Sequence, residues 1–209
     1  MKKLNEGGMV EVVAVLVVAL IVGLAGGYAL GKNHATKTNT SPAAMSTAAS
    51  NSDGVTVGGA KMVASKNIVQ NALGANNVTT TVKLVKDANL VNTLESAGPF
   101  TVFAPNNDAF AKLPAATVTA LQQPANVATL QKILTYHVVP GTYTSAALKV
   151  MAEKGQTLTT VQGEQLSPVL QNGQLELKDA MGNLVTIQTS DVISSNGVTF
   201  VINSVLMPN

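Results

Sequence analysis

The sequence predicts an α+β domain with a mainly antiparallel sheet, carried behind one transmembrane helix. Three observations predict it. Between about residue 65 and residue 152, apolar side chains recur mostly at helical spacing in short runs. From about residue 158 onward they fall into short strand-like pieces separated by Asn-Gly and Gly-Asn turn signals. Helices first and strands later is the order of an α+β fold. The third observation is the uncharged apolar run Val12 to Leu30.

That run divides the chain into a short N-terminal segment (1–11), a transmembrane helix (12–30), a flexible tether (31–59) and a folded domain (60–209). About 19 residues rising 1.5 Å each reach roughly 28 Å, enough to cross a hydrocarbon core. The apolar core of a signal peptide is shorter, about 7–15 residues. An uncleaved anchor is therefore expected, with secretion after cleavage between Ala25 and Gly31 as the alternative. Lys2 and Lys3 before the span and Lys32 and Lys37 after it barely bias its direction. The polar tract that follows favours an outward-facing domain, hence a single-pass plasma-membrane protein. Gly23, Gly27 and Gly31 make consecutive small-xxx-small steps that would let two such helices pack as a dimer. "GGYALGKN" imitates a phosphate-binding loop only as far as Lys32: Asn33 stands where a hydroxyl should hold magnesium. The tether is Thr, Ser, Ala, Asn and Gly, too poor in large apolar groups to offset its own ordering entropy.

Within the domain, Ser65 is placed to cap a helix with Ile68, Val69 and Leu73, ended by Gly74. Val78, Val82 and Val85 mark a second helix and Leu90, Val91 and Leu94 a third. Phe100 to Ala104 reads as a strand stopped by Pro105. Asn106 caps the next helix, with Asp108 in its first turn and Phe110 as an apolar anchor. Val118 and Leu121 mark a further fragment. Val127, Leu130, Ile133 and Leu134 form an amphipathic helix running into "TYHVVPG", read as a strand ended by Pro140-Gly141. A short helix is expected around Ala146 to Ala152. Strand pieces then carry Leu158, Val161, Leu166, Val169, Leu170, Leu175, Leu177, Leu184, Val185 and Ile187. Turns fall at Asn172-Gly173 and Gly182-Asn183, and Asn196-Gly197 precedes a last strand, Val198 to Ile202.

Composition narrows the function. Charged residues make up 11 % of the chain, against roughly 25 % in an ordinary domain, and the net charge is +2. All 13 positive residues are lysines, so no guanidinium can read guanine or phosphate in bidentate fashion. Nucleic acid is not an expected partner. With no cysteine, disulfides, thiolate metal sites and thiol nucleophiles are excluded.

Three motifs bring in a resemblance. "GPFTVFAPNNDAF", "LQKILTYHVVPG" and "SDVISSNGVTFVINSVLMP" resemble the first box, the central Tyr-His segment and the second box of fasciclin domains, in order and with that family's spacing. The likeness runs from about Lys61 to Pro208. It implies a wedge of β-strands flanked by short helices, with extracellular adhesion or matrix association as the function and no general catalytic apparatus. By resemblance, Tyr136 and His137, together with Asp191 and Val192, match positions associated with integrin binding in animal relatives. The sequence departs from the second box at Phe200, where a histidine is usual, and at Asn203, where an aspartate is. A polar contact of the relatives is thereby expected to be repacked as an apolar one.

The residues themselves offer little chemistry. His34 lies in the tether and His137 in the Tyr-His segment, so a two-histidine metal site is not expected. His137 and Ser145 lack a nucleophile elbow and an orienting acid. His137 reads as a hydrogen-bonded structural residue, Asp108 as a helix-dipole residue, and Asp191 as either a contact or a turn residue. The leading expectation is a membrane-tethered, non-enzymatic adhesion domain without cofactor, whose partner is a cell-surface or matrix protein or glycan. The alternative is a surface-held binder of a small lipid or glycan.

Overall fold

The computed structural model describes residues 54–209. Segment 1–11, the expected membrane helix with Gly23, Gly27 and Gly31, and most of the expected tether lie outside the described residues. Among the described residues no helix is long and apolar enough to cross a membrane.

The domain opens earlier than expected. Strands β1 (Thr56–Val57) and β2 (Ala60–Lys61) form a small antiparallel hairpin across Gly58 and Gly59, which turn with φ of 54° and 80°. Val57 is buried with Met62, Ala75, Val78, Ala104, Val192 and Val201. A tether ending at residue 59 is thus corrected: its last residues are a tight turn between strands and belong to the core.

Short helices follow: α1 (Ile68–Ala72), α2 (Thr79–Asp87) and α3 (Val91–Glu95). The α1 cap is Asn67 and not Ser65. Its Oδ1 accepts from Gln70 N–H (2.7 Å) while Gln70 Oε1 accepts from Asn67 N–H (3.1 Å), a reciprocal capping box. Strand β3 (Phe100–Pro105) leads into α4 (Asn107–Ala111), capped by Asn106 as expected, its Oδ1 accepting from Ala109 N–H at 2.7 Å. Helix α5 (Ala115–Leu121) and a 3-10 turn (Pro124–Asn126) lead to α6 (Val127–Tyr136). The Tyr-His segment is therefore not in a strand. Tyr136 ends α6, His137 is its C-cap, and β4 begins only at Val138, running to Pro140. After α7 (Ser145–Glu153) come β5 (Leu158–Thr159), β6 (Gln165–Gln171), β7 (Gln174–Lys178), β8 (Leu184–Ser194) and β9 (Gly197–Ile202). Val161 stands in an exposed turn instead of a strand.

Seven strands make one sheet in the order β4-β3-β9-β8-β7-β6-β5. β3 and β9 pair in parallel, while the other neighbouring pairs are antiparallel. The two boxes therefore lie side by side, with Phe100 opposite Gly197 and Phe103 opposite Phe200. Gly197 is required here: with φ of 153°, a Cβ would sit 1.9 Å from Phe100 O. The sheet curls until its ends meet, and Val161 N–H donates to Val138 O at 2.7 Å.

Strand alternation separates two cores. Phe103, Tyr136, Val139, Leu148, Leu166, Leu177, Phe200, Ile202 and Leu206 fill the inside of the curled sheet beneath α7. Val102 and Val138 point the other way, into a cluster with Ile68, Leu84, Phe110, Leu130 and Ile133 of the helices.

Candidate functional site

Tyr136 and His137 sit where α6 hands over to β4, and both are buried. Tyr136 Oη donates to Gln165 O (2.9 Å) and accepts from Ala180 N–H (2.8 Å). Burial pushes its pKa up to about 12, against the opposing pull of the Ala180 amide. His137 Nδ1 lies 2.8 Å from Ile133 O, and its Nε2 is 3.0 Å from the Leu206 nitrogen. A carbonyl can only accept and an amide can only donate, so the ring is neutral with its proton on Nδ1. Burial brings its pKa down to about 4, against the raising effects of the Ile133 carbonyl and of Asp179. Both ring nitrogens are occupied by backbone. In this state His137 can neither take a proton from Ser145 nor ligate a metal.

Asp191 and Val192 lie on β8, in a stretch where the pairing with β9 shifts register, and Asp191 takes a positive φ of 56°. Val192 is buried against the β1–β2 hairpin. The Asp191 carboxylate turns to the start of α7. Oδ1 accepts from Ser145 N–H at 2.7 Å, and Oδ2 accepts a short bond from Ser145 Oγ. A carboxylate at a helix start satisfies an otherwise orphan amide and meets the positive end of the helix dipole. Thr144 caps the same helix more weakly, its Oγ1 3.4 Å from Ala147 N. Asp191 thus serves one backbone amide, that of Ser145, 46 residues away, and not the nearby amides of its own turn. Ser145 is partnered by Asp191 and not by His137. Tyr136-His137 and Asp191-Val192 are held by different partners, and no hydrogen bond joins the two pairs.

The departures at the second box explain themselves in packing. Phe200 stacks on Phe103 with ring centroids 5.4 Å apart and planes at 29°, joining the two boxes through the barrel core. Asn203 Oδ1 accepts from Thr186 N–H (3.1 Å), and its own N–H donates to Thr186 O (3.1 Å). Phe200 makes an apolar contact, whereas Asn203 makes polar ones.

Sequence reasoning missed a set of buried or half-buried polar anchors. Asn196 Oδ1 accepts from Ile68 N–H at the start of α1, and its Nδ2 donates to Leu94 O and Ser96 O at the end of α3. Asn71 Nδ2 reaches Ser194 Oγ at 2.9 Å. Asn107 Oδ1 accepts from Thr80 N–H (3.0 Å), capping α2, which has no side-chain cap of its own. Asp179 accepts from Asn183 N–H (2.8 Å) and Met207 N–H (3.1 Å). The abundance of asparagine in a charge-poor chain was the available signal. It does not say which backbone each side chain serves.

An apolar groove lies between α1, α2 and α3 and the β3–β9 strands, lined among others by Ile68, Val78, Val82, Val102 and Thr199, with a volume of about 50 Å³. Small-molecule sites occupy roughly 300–1,000 Å³. Among the described residues no group of His, Asp and Glu gathers as metal ligands would.

Comparison with known proteins decides the family. The fasciclin domain profile matches residues 76–208, more than half of the chain. The chain belongs to the fasciclin family. This fasciclin domain is 45 % identical over 141 residues to protein sll1483 of Synechocystis, covering 68 % of the present chain and 73 % of that protein. It is 40 % identical over 126 residues to the immunogenic protein MPB70 of Mycobacterium bovis, covering 60 % and 58 % of the two chains. The cell surface glycolipoprotein MPB83 of the same organism is 39 % identical, over 60 % of the present chain and 51 % of its own. Thus the chain spans a little over half the length of the mycobacterial relatives. Among solved structures, the FAS1 domain pair of the insect cell adhesion molecule fasciclin I superposes with a TM-score of 0.62 at 19 % identity, over 68 % of this chain and 51 % of that one. That likeness establishes the fold. Family membership supports a non-enzymatic surface or adhesion role for the domain.

Proposed function

We propose that the chain is a membrane-tethered fasciclin protein. The N-terminal apolar run anchors it, and the domain faces outward to engage a cell-surface or matrix protein or glycan. One observation carries the reading: the family profile spans the domain, while its motif residues are consumed by internal bonding. Tyr136, His137 and Asp191 each spend their polar atoms on backbone or Ser145. A domain built this way recognises partners through the surface these residues shape. Of the four positions matched by resemblance, Asp191 is the one that is half-buried, the others being buried. The small apolar groove does not favour a lipid or glycan ligand held in a cavity.

The test has two arms. Intact cells are shaved with protease and probed with antibodies to both ends of the chain. Loss of the C-terminal epitope with retention of the N-terminal one supports an outward-facing anchored domain. A C-terminal epitope that survives until lysis reverses the orientation. In the second arm, purified protein is coated on a surface and cells or matrix extracts are scored for attachment. Attachment no greater than to a coated control protein argues against adhesion.

A further inference from the structure

The last described stretch, Val205–Asn209, is irregular in conformation, and three of its backbone amides are held by side chains. Leu206 N–H donates to His137 Nε2 (3.0 Å), Met207 N–H to Asp179 Oδ2 (3.1 Å) and Asn209 N–H to Glu164 Oε2 (2.9 Å). The three acceptors come from three places: the end of α6, the end of β7, and the turn between β5 and β6. Of these acceptors, His137 and Glu164 have proton affinities altered by their surroundings. The apolar side chains of the stretch plug both cores: Val205 packs with the helical cluster and Leu206 inside the barrel.

We propose that this C-terminal strap is an acid-released latch: protonation of His137 and Glu164 loosens Val205–Asn209 while the sheet remains folded. A protonated imidazole would point a second N–H at the Leu206 N–H, two donors face to face, and that bond is lost outright. Protonating the Glu164 carboxylate removes the charge that strengthens its bond from Asn209 N–H. The remaining groups around the strap do not oppose this. Lys112 Nζ donates to Asn203 O (2.6 Å) and Ser204 Oγ (3.4 Å), which fixes the start of the strap at any acidic pH. Lys132 Nζ bonds Asn209 O and lies 3.9 Å from Glu164 Oε1, so it keeps one weak exposed hold at the far end. The Tyr136 hydroxyl is neutral and engaged with Gln165 and Ala180. The strap therefore hinges at Asn203-Ser204, loses its bond at Leu206 and is weakened at Asn209.

The sign follows from burial. Closed, His137 is held to about 4; opened to water it returns toward 6.5. Opening takes up a proton between those values, so it becomes easier as pH falls. The gain is roughly 50- to 100-fold at pH 4.5 relative to pH 7.5. Glu164 acts in the same direction, because the Asn209 amide holds its carboxyl below the usual range.

Hydrogen exchange read by mass spectrometry tests this on the full-length chain at pH 7.5, 6.0 and 4.5, with rates corrected for the intrinsic pH dependence of exchange. Protection of residues 204–209 should fall at least about 30-fold from pH 7.5 to 4.5. Residues 197–202 of β9 should stay better protected than the strap throughout. Equal protection of the two segments at every pH means that only global unfolding occurs, and overturns the proposal. So does strap protection that ignores pH. His137→Gln removes the titration and should flatten most of the dependence. Glu164→Gln, at a partly exposed position that tolerates change, should flatten the part read at Asn209. If neither folded variant changes the slope, the latch is not built from these groups.

Discussion

At the scale of the residue, His137 sets how the whole domain should respond to acid. Its pKa is about 4 folded and 6.5 when exposed, so the unfolded chain binds more protons in between. Its contribution is fully present above about pH 7 and is lost as pH falls through 6.5 toward 4, by on the order of 3 kcal/mol. Urea unfolding across that range should show the loss in wild type and a flatter profile in His137→Gln. A wild-type profile that is level between pH 7 and pH 4.5 would contradict a buried neutral imidazole. Tyr136→Phe leaves Ala180 N–H and Gln165 O without their partner, an expected cost of about 1–3 kcal/mol, read as a melting temperature several degrees lower. Asp191 joins this structural class. Asp191→Ala strips the Ser145 amide of its acceptor and should cost about 0.5–2 kcal/mol. Asp191→Asn keeps an acceptor and should lose only about 0.3–1 kcal/mol from the helix-dipole interaction. If both variants melt like wild type yet lose attachment, the side chain belongs to the recognition surface instead.

At the scale of the element, the short helices are held by asparagines borrowed from elsewhere. Asn196 serves three backbone groups on two helices, whereas Asn67 caps only the helix it begins. Asn196→Ala should therefore destabilise by more than Asn67→Ala, for which about 1 kcal/mol is expected; chemical denaturation of the two variants compares them directly. The positions of these elements were largely legible in the sequence. Periodicity located α2, α3 and α6, Pro105 ended β3, and the Asn-Gly pairs placed the hairpins. Tyr136 was misread because Tyr-His-Val-Val favours strand by composition. In the fold, the helix persists two residues further, to Tyr136, and the C-cap amide of His137 still bonds back to Leu134 O. The β1–β2 hairpin escaped because two residues per strand carry no measurable alternation. The candidate site was legible only as a set of positions. That Asp191 meets Ser145 and His137 meets Leu206 depends on contacts 46 and 69 residues apart, which no local pattern encodes.

At the scale of the whole molecule, the hairpin determines where a stable domain begins. A fragment of residues 54–209 retains Val57 in its cluster, while one starting at residue 60 exposes Met62, Val192 and Val201. The longer fragment should be more stable by about 1.5–3 kcal/mol, the value of burying one such side chain. Equal unfolding midpoints and slopes for the two would show that the hairpin adds nothing. The bond from Val161, in the turn after β5, to Val138 of β4 has a different consequence, one for crowding. A protein fixed at high density on a surface brings many identical copies together, and sheets with open terminal strands zip into one another under those conditions. Here the strands at both ends of the sheet order already face each other. A strand added by a neighbouring copy at that seam would have to displace the Val161–Val138 bond.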